Sequence, residues 1–484
     1  MTMPPLDLPH PNLPYDRGRL TPGIVHIGVG NFHRAHMAVY LDELFALGED
    51  QDWAILGAGV RPADAIMRDA LKAQACLSTV IELDPDAKAV RRVGAMIDFV
   101  EVDPSNAPLI AAMIRPEIRI VSLTVTEGGY YIDPATGAFD PTAPEIVAEG
   151  RNPDRPATAF GAIVAALRAR RSSGMKPFTV VSCDNLPGNG HAAKAATVGL
   201  ARLSDPPLAE WIDAHVAFPN SMVDRIAPAT GSRERRMAVE FGFADDPVPV
   251  TCEPFRQWVI EDHFPSGRPA LEKVGVTFTD DVGLFETMKI RILNGGHAVI
   301  AYAAALSGIE YVHQAMADPI VSAFLDTIEI DEIIPVVAPP PGHDLARYKR
   351  QVMERFANPE IADTTRRLCF DGSNRQPKFI LPSIRDNRAR GRMPEGLILA
   401  NALWCRYCYG IDERGEEIAP NDPDWARLNT VARAARENPD RWIEMRPIYG
   451  DLADDGAFRD AFGAALTLIW NVGTQAAMSR YCGR

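Results

Sequence analysis

Apolar positions fall into two textures along this chain. In the first half, short β-branched runs alternate with longer stretches of helical spacing. Residues 23–30 (GIVHIGVG) form a run that ends in glycines and predict a buried strand. Residues 33–48 follow with Met37, Val39, Tyr40, Leu44 and Leu47 at helical spacing, and Gly48 suits a C-terminal cap. A second strand is expected over 53–60 (WAILGAGV) and a helix over 63–75. Further strands are expected over 119–126 and 178–183. Between them a helix over 157–171 is ended by Ser172, Ser173 and Gly174. Strands alternating with helices build βαβ units and a mostly parallel sheet. Residues 244–254 and 255–262 read as later strands. From about residue 285 strand-like runs are few and helical spacing dominates, with 333–345 (IIPVVAPPPGHDL) as a punctuating loop. The expectation is an α/β chain, with a parallel-sheet domain over 1–284 and a largely α-helical domain over 285–484.

Composition narrows the classes. The 484 residues suit two or three domains at about 150 residues each. Hydrophobic residues at 46% and charged ones at 24% exclude a disordered, collagen-like or coiled-coil chain. The net charge of −14 argues against a nucleic-acid surface or a binder of anionic membranes. Residues 1–22 read as a proline-rich extended arm without the apolar core of a signal peptide. The longest apolar run, 298–306, falls far short of the ~20 residues that cross a bilayer. Seven scattered cysteines fit a reduced, cytoplasmic compartment better than a disulfide framework. Cys405 and Cys408 make a lone C-x-x-C without a second pair, which reads as helix packing. No repeat or low-complexity tract is present.

The glycine loop is the first candidate site. Gly28, Val29, Gly30, Asn31, Phe32 and His33 lie between the first predicted strand and helix. In a dinucleotide fold the first glycine permits the tight turn, and the second lets backbone N–H groups approach a pyrophosphate. His33 stands where G-x-G-x-x-G has its third glycine, and an ordinary strand-to-helix turn would look the same. The first acid after the second strand is Asp64, 34 residues beyond Gly30. A carboxylate there would accept from a ribose 2′-hydroxyl and repel a 2′-phosphate, favouring NAD over NADP. A simple helix N-terminal acid fits the position equally. His33 and His36 have i, i+3 spacing but no evident third ligand for a metal, so packing beside the loop is the preferred reading and no metal is expected.

Three segments concentrate polar residues in apolar surroundings: 182–190 (SCDNLPGNG), 218–228 (FPNSMVDRIAP) and 289–297 (KIRILNGGH). In the last, Asn294 and His297 follow Lys289 by five and eight positions. On an α-helix they lie about 140° and 80° from it, on one broad face. A buried lysine can act as a base near neutral pH, and asparagine N–H groups can hold an alkoxide. A capped helix with a snorkelling lysine is the alternative.

Several motifs in order resemble the long-chain polyol dehydrogenases, the mannitol dehydrogenase family. N-S-M-V-D-R-I-x-P stands at residues 220–228, and K-x4-N-x2-H at Lys289, Asn294 and His297. I-G-V-G-x-F-H-R-A-H stands at 27–36, S-L-T-V-T-E-G-G-Y at 122–130 and C-D-N-x-P-x-N-G at 183–190. The resemblance covers nearly the whole chain, and the family also carries histidine at the third glycine position. It implies a Rossmann-type domain followed by a mostly helical one, with the site in the cleft between them. The implied reaction is reversible, metal-independent, NAD-linked oxidation of a sugar alcohol to a ketose, of the D-mannitol to D-fructose type. By motif position Lys289 would be the general base, Asn185 and Asn294 the alkoxide donors, and His297 the orienting group. Asp224, Arg367, Arg375 and Lys378 would bind substrate. Gly28, Gly30, Asn31, Phe32, Arg34 and Asp64 would bind the cofactor.

Within that chemistry a hexuronate reductase, or an arabinitol- or sorbitol-type enzyme, is the alternative. A nucleotide sensor without catalysis is disfavoured by the presence of Lys289, both asparagines and His297. A metal hydrolase using His33 and His36 lacks ligand spacing. The expected partner is a small polyol or ketose, with no nucleic acid or membrane, in a monomer or small homo-oligomer.

Overall fold

The computed structural model describes residues 13–133 and 136–483, so most of the expected arm over 1–22 lies outside the described residues. The chain separates into two compact units, the first ending at Gly283 and the second beginning at Leu284.

The first unit carries β1 (Pro22–Ile27), β2 (Ala54–Ala58), β3 (Ser78–Leu83), β4 (Lys88–Val93), β5 (Met96–Phe99) and β6 (Ile120–Leu123). After these come β7 (Thr179–Ser182), β8 (Ser221–Asp224), β9 (Val250–Cys252), β10 (Gln257–Glu261) and β11 (Thr277–Thr279). Five of them form a parallel sheet in the order β5-β2-β1-β6-β7. The chain order reverses between β1 and β6, the place where open α/β sheets bind ligands beyond the strand ends. Both faces of this sheet are covered. Ile24 packs in one apolar cluster with Leu41, Leu44 and Phe45. Val25, Ile27, Val121 and Leu123 pack in the other with Phe160, Ile163 and Leu167. Strands buried on both faces read as unbroken apolar runs, which is why the pattern found them.

Three details differ from the pattern. The helix over 33–48 is two helices, Asn31–Ala35 and Met37–Ala46, because His36 leaves helical geometry (φ −121°, ψ −88°). Its Nε2 lies 2.9 Å from the Gln257 carbonyl, which holds the break in place. The strand over 244–254 shortens to β9, since Pro247 and Pro249 have no N–H to give a ladder. It pairs in parallel with β3, which pairs antiparallel with β4. β10 joins neither that sheet nor the main one; it pairs antiparallel with β8 and parallel with β11.

The second unit is helical, with no strand among the described residues beyond isolated bridges. Its helix Glu395–Cys408, buried from Gly396 onward, packs against Gly295–Leu306 and Gly456–Val472. Cys405 and Cys408 lie in the last turn of that buried helix as free thiols. Two segments, Lys289–Asn294 and Glu329–Ile333, are π-helical. Among the described residues no helix is long and apolar enough to cross a membrane.

Arg170 shows how the first unit is fastened. It is buried at the end of helix Ala159–Ser172 and donates to the carbonyls of Met113 (2.9 Å), Arg115 (2.6 Å), Ile118 (2.7 Å) and Lys176 (2.9 Å). Burial pushes its guanidinium down to about 10. Arg170→Met keeps much of the volume but strands these acceptors. At ~1–3 kcal/mol per buried unsatisfied group, a loss of at least about 3 kcal/mol is expected in urea unfolding. A loss under about 1 kcal/mol would mean that water replaces the guanidinium.

Candidate active site

At the sheet edge beside β1 and β6, two glycines of one loop differ in kind. Gly28 has φ +99°, and a Cβ there would lie 2.2 Å from the Thr124 carbonyl oxygen. The fold itself requires this glycine. Its carbonyl accepts from Thr124 Oγ1 at 2.6 Å. Gly30 is extended, and an added Cβ would meet nothing closer than the Gly28 oxygen at 4.0 Å. Among the described residues no contact requires glycine there, so the space it leaves suits a ligand.

The loop is braced from behind. Asn31 Nδ2 donates to the Pro228 carbonyl (2.7 Å) and to Thr230 Oγ1 (3.0 Å). Arg34 is buried and donates to Asn31 Oδ1 at 2.8 Å and to the Val248 carbonyl. Burial lowers its guanidinium to about 10. Phe32 stacks on His36 with centroids 4.7 Å apart. His26 and His33 stack at 3.5 Å, and His26 meets Ser122 Oγ and Thr124 Oγ1 at 2.8 and 2.9 Å. Desolvation pushes His26 and His36 down to about 3 and holds His33 well below the usual histidine range, so these rings are neutral. They pack beside the loop. Among the described residues no group of three or more metal-ligating side chains could hold an ion.

Asp64 folds back over the end of β2. Its Oδ2 accepts from the Val60 and Arg61 N–H groups, both at 3.0 Å, and Oδ1 faces Arg61 Nη2 at 3.4 Å. It thus fills the helix-start role, at the strand end where a ribose would be read.

The other polar segments of this unit meet at the same edge. Asn185 is exposed on the loop after β7, while its neighbours are held fast. Asp184 accepts from Val125 N–H (3.0 Å), Thr126 N–H (2.8 Å) and the Tyr130 hydroxyl (2.6 Å). Asn189 Nδ2 donates to the carbonyls of Ser182, Asp184 and Ser221. In the 220–228 motif, Asn220 Nδ2 donates to Glu261 Oε1 at 2.9 Å and its Oδ1 accepts from Gly190 N–H at 3.0 Å. Arg225 is buried and donates to the Glu253 carbonyl (3.0 Å), Glu82 Oε1 (2.6 Å) and the Ala35 carbonyl. Most of that motif ties strands together. Asp224 ends β8 and is buried.

In the second unit, Lys289 and Asn294 open and close one π-helical turn. In a π turn the hydrogen bond runs from residue i to i+5, so Asn294 sits above Lys289. The α-helical angle of about 140° between them is therefore reduced, and the two stand about one turn apart on the same side. Lys289 is buried, and Asn294 Oδ1 is buried with no hydrogen-bond partner among the described residues. Arg291 anchors the turn through Ser383 Oγ and Asp386 Oδ2, both at 2.8 Å. His297 follows on helix Gly295–Leu306 and stacks on Phe356 at 3.9 Å. Burial, then the fields of Arg367, Arg355 and Arg375, hold it well below the usual histidine range. Arg367 and Arg375 are thus gathered around His297. Arg367 pairs with Asp363, and Arg375 Nη1 donates to the Leu368 carbonyl at 3.2 Å. Lys378 is exposed on helix Gly372–Phe379.

Glu329 was missed by the sequence reading. It is fully buried, neither carboxyl oxygen has a hydrogen-bond partner, and a Cβ on Gly296 would lie 2.7 Å from its Oε1. The available signal was its position four residues after Leu325 and eight after Val321, on the apolar face.

Comparison with known proteins agrees along both units. Residues 22–273 match the Mannitol dehydrogenase Rossmann domain family, and residues 281–470 match the Mannitol dehydrogenase C-terminal domain family. The chain is 65% identical over 467 residues to a mannitol 2-dehydrogenase of Cereibacter sphaeroides, covering 96% of this chain and 98% of that one. It is 38% identical to mannitol dehydrogenase DSF1 of Saccharomyces cerevisiae, over 96% of this chain and 93% of that one. Among solved structures, Pseudomonas fluorescens mannitol 2-dehydrogenase in ternary complex with NAD and D-mannitol superposes with a TM-score of 0.87. That pair shares 41% identity and covers 98% and 96% of the two chains. A substrate-free D-sorbitol dehydrogenase gives a TM-score of 0.88 at 35% identity, covering 96% of each chain.

Desolvation holds the Glu329 carboxyl well above the usual glutamate range, partly offset by Lys349 and reinforced by Asp326. The folded chain therefore keeps a proton that the unfolded chain releases near the ordinary value, and stability is lost as pH rises through that window. Glu329→Gln cannot ionise. Its melting temperature should fall less than the wild type's between about pH 5 and 8. Parallel melting curves across that range would show instead that Glu329 is ionised in the fold.

Proposed function

The chain belongs to the mannitol dehydrogenase family of oxidoreductases, and we propose that it oxidises a secondary alcohol of an open-chain polyol to a ketose with NAD, D-mannitol to D-fructose being the first pair to test. The observation that carries this reading is the turn that aligns buried Lys289 with the unpartnered Asn294 amide oxygen. An unmatched buried acceptor needs a donor, which a second polyol hydroxyl supplies, and the Nδ2 of the same amide is then left to donate to the reacting oxygen.

The glycine loop suits a dinucleotide, since Gly30 leaves room that no protein atom fills. Gly28, Gly30, Asn31 and Phe32 would hold the pyrophosphate, with Arg34 fixing the loop's shape and Asp64 receiving a ribose hydroxyl. NAD, when bound, accepts the hydride of the carbinol carbon. Neutral Lys289 takes the hydroxyl proton at Nζ. Asn294 and Asn185 donate to the oxygen as negative charge develops on it. His297, neutral for the reasons given above, orients the hydroxyl without giving up a proton. Asp224, Arg367, Arg375 and Lys378 bind the outer hydroxyls. In the reverse direction protonated Lys289 returns the proton to the ketose oxygen. Proton transfer and charge stabilisation are both supplied by side chains, so activity should resist chelators.

A substrate panel tests the reading: D-mannitol, D-arabinitol and D-sorbitol with NAD, then fructuronate and tagaturonate with NADH. D-Mannitol should give the highest kcat/KM. Turnover of the hexuronates alone would make this a reductase of acidic sugars, and no turnover of any would overturn the proposal.

Two substitutions probe the parts separately. Lys289→Ala should lower kcat by about 10²–10⁴-fold while NAD affinity persists, with partial rescue by a small added amine. Near-wild-type turnover would remove Lys289 from the mechanism. Gly30→Ala should leave the melting temperature unchanged and weaken NAD binding in calorimetry, whereas Gly28→Ala should destabilise the fold. Unchanged NAD affinity in Gly30→Ala would place the cofactor elsewhere.

A further inference from the structure

Thr126 has φ +67° and ψ 164°. That region is adopted essentially by glycine alone, and a β-branched residue there is an outlier. It lies where the chain leaves β6, and the Thr126 carbonyl accepts from Gly129 N–H at 3.0 Å, opening the turn Glu127–Tyr130. What holds it there is one carboxylate. Asp184 Oδ1 accepts from Thr126 N–H at 2.8 Å, and Oδ2 accepts from Val125 N–H at 3.0 Å. Two successive backbone N–H groups aimed at one anion form a nest. Tyr130, fully buried, closes the far side: its hydroxyl donates to Asp184 Oδ2 at 2.6 Å and lies 2.5 Å from Ser182 Oγ.

The same residue governs the loop after β7. Asp184's carbonyl accepts from Leu186 N–H at 2.9 Å and from Asn189 Nδ2 at 3.1 Å, so the residue between, Asn185, is displayed from a backbone fixed on both sides. The segment after β6 meanwhile begins at Thr124, whose carbonyl presses on Gly28. One residue thus ties two adjoining loops, its buried carboxylate holding the one that abuts the glycine loop and its backbone carbonyl the one that bears Asn185.

We propose that Asp184 is a positioning residue for the reaction, and that the backbone strain at Thr126 serves the placement of Asn185 rather than the stability of the fold. This rests on the role given to Asn185 under the proposed function. Strain that a fold could shed by placing glycine at 126 has a use only if the relaxed loop performs worse. Asp184→Asn replaces one acceptor oxygen with an NH2 group, which faces a backbone N–H and opens the clamp. Thr126→Gly removes the strain and keeps the clamp.

The test measures melting temperature, NAD affinity, kcat and KM for Asp184→Asn, Tyr130→Phe, Thr126→Gly, Asn185→Ala and the Asp184→Asn/Asn185→Ala double variant. Thr126→Gly should melt higher than wild type yet turn over more slowly, by on the order of tenfold, because small displacements of a positioned group cost rate. Asp184→Asn and, more mildly, Tyr130→Phe should lower kcat with NAD affinity and KM little changed. In the Asn185→Ala background Asp184→Asn should lower kcat little further, since both act through one contact. A Thr126→Gly enzyme with wild-type kcat, or strictly additive losses in the double variant, would reduce the clamp to a structural tie. Where Asp184→Asn does not fold, Tyr130→Phe and Thr126→Gly decide alone by the same criteria. A normal kcat in Asn185→Ala would overturn the role of Asn185 and this proposal with it. A large loss in Asn185→Ala beside normal Thr126→Gly and Tyr130→Phe would overturn the clamp alone.

Discussion

Where the parallel ladder of β1, β6 and β7 ends, buried backbone groups run out of strand partners, and side chains must finish the hydrogen bonding. Much of the first unit follows from this one requirement. Thr124 Oγ1 satisfies the Gly28 carbonyl, and His26 lies between Ser122 and Thr124. Asp184 takes the Val125 and Thr126 N–H groups, while Asn189 and Ser221 share the Ser182 carbonyl. The polar segments around residues 122–130, 183–190 and 220–228 look like active-site motifs for this reason. Their residues are largely the continuation of the sheet by other means. Exposed Asn185, to which the proposal gives a ligand-facing role, is set on backbone that these bonds fix.

The second unit meets a different constraint with the same outcome. Its π turn over Lys289–Asn294 gives up regular α-helical bonding to align two polar side chains. Directly after it come Gly295 and Gly296, and behind Gly296 stands Glu329 without a hydrogen-bond partner on either oxygen. A side chain on Gly296 would collide with that carboxyl. The glycines thus allow a buried acid and a π-helical segment to press against the helix that carries His297. Such a back wall is stable only while the acid stays protonated, which ties the rigidity of this helix to pH.

Sequence pattern revealed the elements whose burial is two-sided and concealed those whose role is local. β1, β2, β6 and β7 read clearly because both faces are covered. β4 (KAVRRV) did not, since Lys88, Arg91 and Arg92 mask its alternation, and β8 was visible only as a motif. The break at His36 and the π turn left no trace in periodicity, because an extra residue per turn barely alters the apolar spacing of a short window. Hence Lys289 and Asn294 were identifiable by type but not by alignment. Asp64 shows the opposite limit. Both of its sequence readings place it at the end of β2, and only coordinates reveal that its carboxylate caps the strand-to-helix turn.

The histidines make the case for lysine as the proton acceptor from another direction. Histidine is the side chain that ordinarily moves protons near neutral pH. Here His26, His33 and His36 are stacked and buried beside the glycine loop, two of them driven down to about 3 and His33 well below the usual histidine range. His297 stacks on Phe356 within the fields of Arg367, Arg355 and Arg375, and desolvation likewise holds it neutral. A neutral imidazole that resists protonation is a poor base and an excellent fixed hydrogen-bonding group. With these four rings restricted in this way, the proposal assigns the polyol proton to another acceptor. Lys289, buried one turn from an unmatched amide oxygen, is the group to which the proposal gives that task.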